Sequence, residues 1–371
     1  MREDPVTLSL CGDVMLGRGV DAILPCPGDP GLREPYIRDA RAYVALAEAA
    51  SGQVPHPADF AWPWGEALRV LDETAPDVRV VNLETSITQS DDFAPGKEVH
   101  YRLNPANLPC LAAVRPDVCV LANNHVLDFG EAGLEETLDA LAGAGLRAVG
   151  AGRNADEADR PAVVDLGGGR RVLVFSFGMP SSGIPRRWAA TADRPGVGFV
   201  PGPSYACAAE VTDRIRQIKR PGDVVVVSVH WGPNWGYDVS RDEVVFAHAL
   251  IDGGVDIVHG HSSHHPRPVE LYRDKLVLYG CGDFIDDYEG ITGHEEFRDD
   301  LRLLWFVTVD PDSGRLTGAR IVPLQAHRMR LRPAARQDCA WLCDLLDRMS
   351  DGAEVHVIPG PGGASMALER V

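Results

Sequence analysis

Val255-Asp256-Ile257-Val258-His259-Gly260-His261-Ser262-Ser263-His264-His265-Pro266 is the stretch on which the fold turns. Its start, Val255 to Val258, has the apolar, β-branched character of a short buried strand. The strand runs straight into four histidines within seven residues. In a tight loop, the three-residue spacing of His261 and His264 can aim two imidazoles at one point. Imidazole is the commonest metal ligand and titrates near neutrality without help. Taken alone, the cluster is equally compatible with a histidine-rich surface turn.

Working outward, the same device recurs. Val6 to Leu10 alternates as a strand and opens into Cys11-Gly12-Asp13-Val14-Met15-Leu16-Gly17-Arg18. Val78 to Val81 ends in Asn82-Leu83-Glu84, and Val118 to Leu121 ends in Ala122-Asn123-Asn124-His125, with Asp128 just beyond. Asp223 to Val229, the most β-branched run, ends in His230-Trp231-Gly232-Pro233-Asn234-Trp235. Leu276 to Tyr279 leads to Gly280-Cys281-Gly282-Asp283. Helical patterns over Gly65 to Thr74, Glu131 to Ala144, Ser204 to Lys219 and Glu243 to Asp252 separate these strands. Two irregular stretches, 24–63 and 178–203, are long enough to be lids or specificity loops. Asp310-Pro311-Asp312-Ser313-Gly314 reads as a hairpin between two strands. One more helix (Ala335 to Met349) and a Gly/Pro-rich segment close the chain.

Strands layered with helices share an edge at their C-terminal ends, where ligands collect. Asp13, Asn82, Glu84, Asn124, His125, His230, His259, His261 and His264 therefore converge. Each residue singly has an ordinary alternative as a turn or core group. Their joint placement favours a metal site of hard oxygen and borderline nitrogen donors, suited to Mn, Fe or Zn. The eight cysteines form no CxxC pair and read as reduced, mostly buried thiols. The net charge of −18 argues against nucleic acid as a partner. No run approaches the roughly 18 apolar residues that cross a bilayer, so membrane insertion is not expected. The expected compartment is the cytoplasm.

Gly12-Asp13-Val14-Met15-Leu16-Gly17-Arg18, Asn82-Leu83-Glu84, Asn123-Asn124-His125 with Asp128, His230-Trp231-Gly232 and Gly260-His261-Ser262-Ser263-His264 occur in that order. Together they resemble the poly-gamma-glutamate capsule biosynthesis family, itself related to the calcineurin-like metallophosphoesterases. The resemblance spans about residues 6 to 330. It implies an α/β fold, a four-layer α/β/β/α sandwich of metallophosphoesterase type, with two divalent metals between the sheets. It further implies that Asp13 and His264 hold one metal, Asn124, His230 and His261 the other, and that Glu84 bridges them. His125 resembles the histidine that stabilises the transition state or protonates the leaving group. Met15 departs from the phosphoesterase pattern, which has a histidine two residues after the aspartate. Capsule-synthesis members are commonly tied to the membrane, and no anchor is read here.

The expected organisation is a catalytic domain over 1–330 with a C-terminal helix and tail, 331–371, packed on it. The expected function is a soluble metal-dependent hydrolase acting on a phosphoester or, second, an amide or ester. The alternative is an accessory protein of poly-gamma-glutamate synthesis that binds an anionic polymer or partner without turnover. His125 is the candidate general acid, with Asp128 orienting its ring. Arg18, five residues after Asp13, and Arg102 are candidates for pairing a small anionic substrate or polymer. Trp231, Asn234 and Trp235 are candidate pocket walls, and Asp283 is a candidate partner for a ligating histidine.

Overall fold

The computed structural model describes residues 4–371. The chain is mixed α/β, with a ten-stranded and a six-stranded sheet. In the larger sheet, Val6–Val14 is central. Val78–Leu83, Val118–Val120 and Arg147–Val149 follow it in parallel on one side. Leu301–Val309 and Leu316–Ala326 lie antiparallel on the other, joined by the expected hairpin. Asp283–Ile285 also pairs with Val6–Val14 in parallel. The smaller sheet runs in the order Val269–Tyr272, Lys275–Leu278, Ile257–His261, Val224–His230, Arg170–Gly178, Ala162–Gly167.

Parallel strands buried on both faces need apolar side chains at successive positions, and the sequence supplies them. Leu8, Leu10, Val78, Val80, Val118 and Val120 pack against Val172, Val174, Val224, Val226 and Ile257 of the smaller sheet. The alternate residues Val14, Val81, Leu83, Cys119 and Leu121 face the other way, toward helices Arg18–Ile23, Arg41–Ser51, Glu66–Thr74 and Gly130–Gly143. On the smaller sheet, Leu173, Phe175, Val225, Val227 and Val258 pack against helices Tyr205–Ile218 and Arg241–Asp252. The period-2 alternation of each strand thus divides its apolar residues between two cores.

The helices fall within a few residues of the expected spans, with Arg41–Ser51 inside the 24–63 stretch. The tail holds more sheet than its composition signals. Val355–Pro359 and Met366–Arg370 form a hairpin that extends the larger sheet beside Leu316–Ala326. Gly/Pro content hides these strands, since their apolar positions are few. Among the described residues, no helix is long and apolar enough to cross a membrane.

The loops after the smaller sheet are fixed by buried charge. Arg267, 1% exposed, donates to Glu243 Oε1 at 2.9 Å and Oε2 at 3.3 Å, and to the Asp238 carbonyl. Glu243 also closes a capping box with Ser240 at the start of helix Arg241–Asp252. Arg267→Met leaves that carboxylate buried without its cation. The substitution is expected to cost about 3–5 kcal/mol in urea unfolding, and Glu243→Gln in the same chain to recover part of it.

Candidate metal centre

Both sheets end their parallel strands at one place. Asp13 lies opposite Asn82 on one neighbour and opposite Asp283 on the other. Gly12 makes the second pairing possible, because a Cβ there would stand 1.5 Å from the Gly282 carbonyl oxygen. In the smaller sheet, His230 lies opposite His261 and Ser228 opposite His259. Sequence-distant groups therefore meet in one buried cluster.

Two sets of side chains stand with one ligating atom from each within 4.8 Å of the others: Asp13, His230 and His261, and Asp13, Glu84 and Asp283. All five residues are buried. Asn82 Nδ2 donates to Asp13 Oδ1 at 2.6 Å, and the Ser262 N–H donates to Oδ2 at 3.2 Å. Ser262 reaches that position with φ +107°, a backbone conformation costly for a residue with a side chain. His230 Nε2 lies 3.1 Å from Asn124 Oδ1 and 3.6 Å from Glu84 Oε1. His230 Nδ1 and His261 Nδ1 approach to 2.7 Å, with Asp13 Oδ1 3.8 Å from the latter.

A hydrogen-bond relay sets which nitrogens point inward. His259 Nε2 lies 2.8 Å from the Cys11 carbonyl, which accepts only, so that nitrogen carries the proton. His259 Nδ1 then accepts from Ser228 Oγ at 3.1 Å, and Ser228 Oγ accepts from His261 Nε2 at 2.8 Å. His261 Nδ1 is left with a lone pair facing Asp13 and His230. His259, undecided in the sequence, thus ties the two sheets together.

The electrostatics favour a cation. Burial, with Asp283 adding to it, pushes Asp13 up to about 7. Burial and then Asp13 hold Glu84 well above the ordinary carboxylate range. Burial depresses His230 and His261, which stay neutral. Three buried carboxylates and two neutral imidazoles form a donor set that a divalent ion would stabilise. The Met15 side chain, buried, takes the Gly17 N–H on its sulfur at 3.1 Å and adds no nitrogen ligand.

His264 stands behind Asp283. Its Nδ1 is 3.0 Å from Asp283 Oδ2, which makes Asp283 the partner that orients it. His125 and Asp128 form a second unit: His125 Nδ1 lies 2.7 Å from Asp128 Oδ2 and 3.0 Å from Lys97 Nζ, and His125 Nε2 lies 3.9 Å from Glu84 Oε1. Tyr101 stacks on the His125 ring at 3.7 Å between centroids. Lys97 donates to Asp128 and to the Asn124 carbonyl. Burial, then Lys97, lowers His125 well below its ordinary value.

Four candidates are placed elsewhere. Arg18 is fully committed, with Asp287, Glu34 and Tyr43 taking its guanidinium, and it offers no free fork to an anion. Arg102 lies beyond Tyr101, bonded to Asp91 and the Ser90 carbonyl. Trp231 is wholly buried, stacked on Tyr279 with its N–H on the Tyr279 carbonyl, so it is core and not pocket wall. Asn234 is exposed and holds the His264 N–H through its own carbonyl. Asp283, Tyr101 and Lys97 are the residues underrated or missed. Asp283 carried a strand-end signal, whereas Lys97 and Tyr101 sit in a loop with none.

Residues 7–288 match the family model described as bacterial capsule synthesis protein PGA_cap. A probable polyglutamine synthesis accessory protein of Mycobacterium tuberculosis is 54% identical over 359 residues, covering 96% of this chain and 94% of the relative. The PGA biosynthesis protein CapA of Bacillus subtilis is 27% identical over 289 residues, covering 77% of this chain and 64% of CapA. A solved structure described as a novel phosphatase, from Mycoplasma pneumoniae, covers 88% of this chain and 95% of its own. Its identity is 13% and its TM-score 0.44, too distant to bear on activity. The extent of the family match and the near full-length relative agree: the chain belongs to the bacterial capsule synthesis protein PGA_cap family.

Proposed function

We propose that this chain is a metal-dependent hydrolase acting on a phosphoester, with an amide or ester as the second choice of bond. The observation that carries the reading is the convergence of Asp13, Glu84, Asp283, His230 and His261 beside the His125–Asp128 pair. The proposed architecture is the four-layer α/β/β/α sandwich of the metallophosphoesterases, with 1–330 as catalytic domain and 331–371 packed on it. The facing cores of the two sheets and their outer helices support it.

Asp13, His230, His261 and Asn124 would hold one divalent ion of the Mn, Fe or Zn type. Asp13, Glu84 and Asp283 would hold a second, with His264 at its edge. Asp13, common to both sets, is then a better bridge than Glu84. Bound metal would supply a water acidified to near neutrality and positive charge at the attacked group. The chain's own residues do the rest. Asp128 holds the Nδ1 proton of His125, so a bare Nε2 faces the centre. His125 is neutral at rest, so it would take the proton released by the attacking water and deliver it to the leaving-group oxygen. Tyr101 keeps the ring from turning.

Protein purified without chelators or a nickel column is expected to carry about two equivalents of Mn, Fe or Zn by elemental analysis. Asp13→Ala, which removes the shared ligand, should bring this below about one equivalent. No metal, even after incubation with those ions, would sink the hydrolase reading. His125→Ala is expected to keep its metal and lose at least about a hundredfold in turnover of p-nitrophenyl phosphate or its diester. Asp128→Asn should lose about ten- to a hundredfold, since the ring stays but its tautomer is no longer set.

The second reading is an accessory role in polyglutamate or capsule synthesis, in which the centre binds an anionic polymer or partner without turnover. Two observations favour it: the description of the M. tuberculosis relative and the buried Met15 where a ligand is expected. Under this reading His125→Ala changes little.

A further inference from the structure

Behind Tyr101 lies a cavity of about 240 Å³, open to solvent. Loop residues 27–34 form one side. His100, Arg102, Phe93 and Phe129 form the other. The local sequence explains why it adjoins the metal centre without being part of it. Tyr101 stacks on His125 while its neighbours His100 and Arg102 line the cavity. Asp128 holds His125, and the next residue, Phe129, faces the cavity.

The charges in its wall do not balance. Asp21 accepts from the Gly28 N–H (2.7 Å), the Asn104 N–H (2.9 Å) and Asn107 Nδ2 (2.7 Å). Asp29 takes the Gly31 N–H at 2.8 Å, and Glu34 is held by Arg18 and Tyr43. Arg41 is paired with Asp39. The carboxylates are thus occupied locally. Arg33 is different: its guanidinium lies 3.9 Å above the Phe93 ring, and among the described residues it has no ion pair. Arg102 sits 4.8 Å over Phe129 with its Nη1 on Asp91 and the Ser90 carbonyl, and its Nη2 has only a 3.5 Å contact to the Asp29 carbonyl. A guanidinium stacked on a ring keeps its N–H edge open for in-plane, bidentate pairing with an oxyanion.

A third group points to a ligand. His100 is 4% exposed, and its Nδ1 has no partner among the described residues, while Nε2 lies 3.3 Å from the Ala94 carbonyl. Nε2 therefore carries the proton, and Nδ1 is a buried acceptor waiting for a donor. Burial keeps the ring neutral.

We propose that this cavity binds a small ligand in which a carboxylate or phosphate is carried on an apolar body and flanked by an N–H or O–H donor. Arg33 takes the oxyanion with Arg102 Nη2 beside it, the half-buried Phe93 ring meets the apolar body, and His100 Nδ1 takes the donor. The site stands apart from the metal centre and does not depend on metal.

The test is calorimetric titration of the full chain in excess chelator, which silences the centre. The probes are hippurate (ring, amide N–H, carboxylate), 3-benzoylpropionate (the same with CH2 for N–H) and phenyl phosphate. Hippurate or phenyl phosphate should saturate one site. Arg33→Ala should weaken binding about tenfold or more and Arg33→Lys less, because only the guanidinium pairs in bidentate fashion. Arg33 is exposed, so its loss should leave folding and metal content unchanged. Whichever of the two anions binds names the oxyanion. No saturable binding by either, or binding that Arg33→Ala leaves intact, overturns the site. Equal affinity for 3-benzoylpropionate and hippurate overturns the His100 contact.

Discussion

Three carboxylates, Asp13, Glu84 and Asp283, are buried within reach of one another, and the rest of the site is arranged around that repulsion. Charges taken out of water are costly unless paired, and like charges in low dielectric make each other costlier. The chain answers in two ways. Asp283 is held below the ordinary carboxylate range because His264 and Arg302 together outweigh its burial. Asp13 and Glu84 are left high, with neutral imidazoles turned toward them. A carboxylate group left undercompensated in this way is what a divalent cation stabilises.

Neither sheet alone builds that cluster. The larger sheet brings Asp13, Asn82 and Asp283 into register, and the smaller brings His230 and His261. The relay through His259 and Ser228 reaches from the Cys11 carbonyl of one sheet to the His261 ring of the other. Packing of the sheets and orientation of the His261 ring are therefore coupled, and a shift between the sheets would move both.

Buried ion pairs surround the centre. Arg18 bridges Asp287 and Glu34 under Tyr43 and Tyr101, and Arg302 holds Asp286 at 2.5 Å. Breaking such a pair leaves a bare buried charge, so these arginines serve as framework. Arg18 shows how misleading chain distance is. It stands five residues from Asp13, yet its guanidinium is taken by a carboxylate 269 residues away.

The sequence by itself determined the strand-end chemistry: apolar runs that stop at Asp13, Glu84, Asn124, His230 and His261 can be read directly, because strand burial and polar termini are local properties. Family membership was legible for the same reason. Tertiary structure alone decided which polar groups face one another. It set Asp283 beside Asp13 through the close approach of Gly12 and Gly282, and turned His264 toward Asp283. It also sent Trp231 into the core and gave Arg102 to a separate cavity. The strands of 355–370 escaped reading because their hairpin is short and rich in Gly and Pro, and its second strand docks on Leu316–Ala326, a pairing that composition does not record. Hydrophobic period is written in neighbouring residues; the partner of a charge is set by whatever the folded chain brings within about 4 Å.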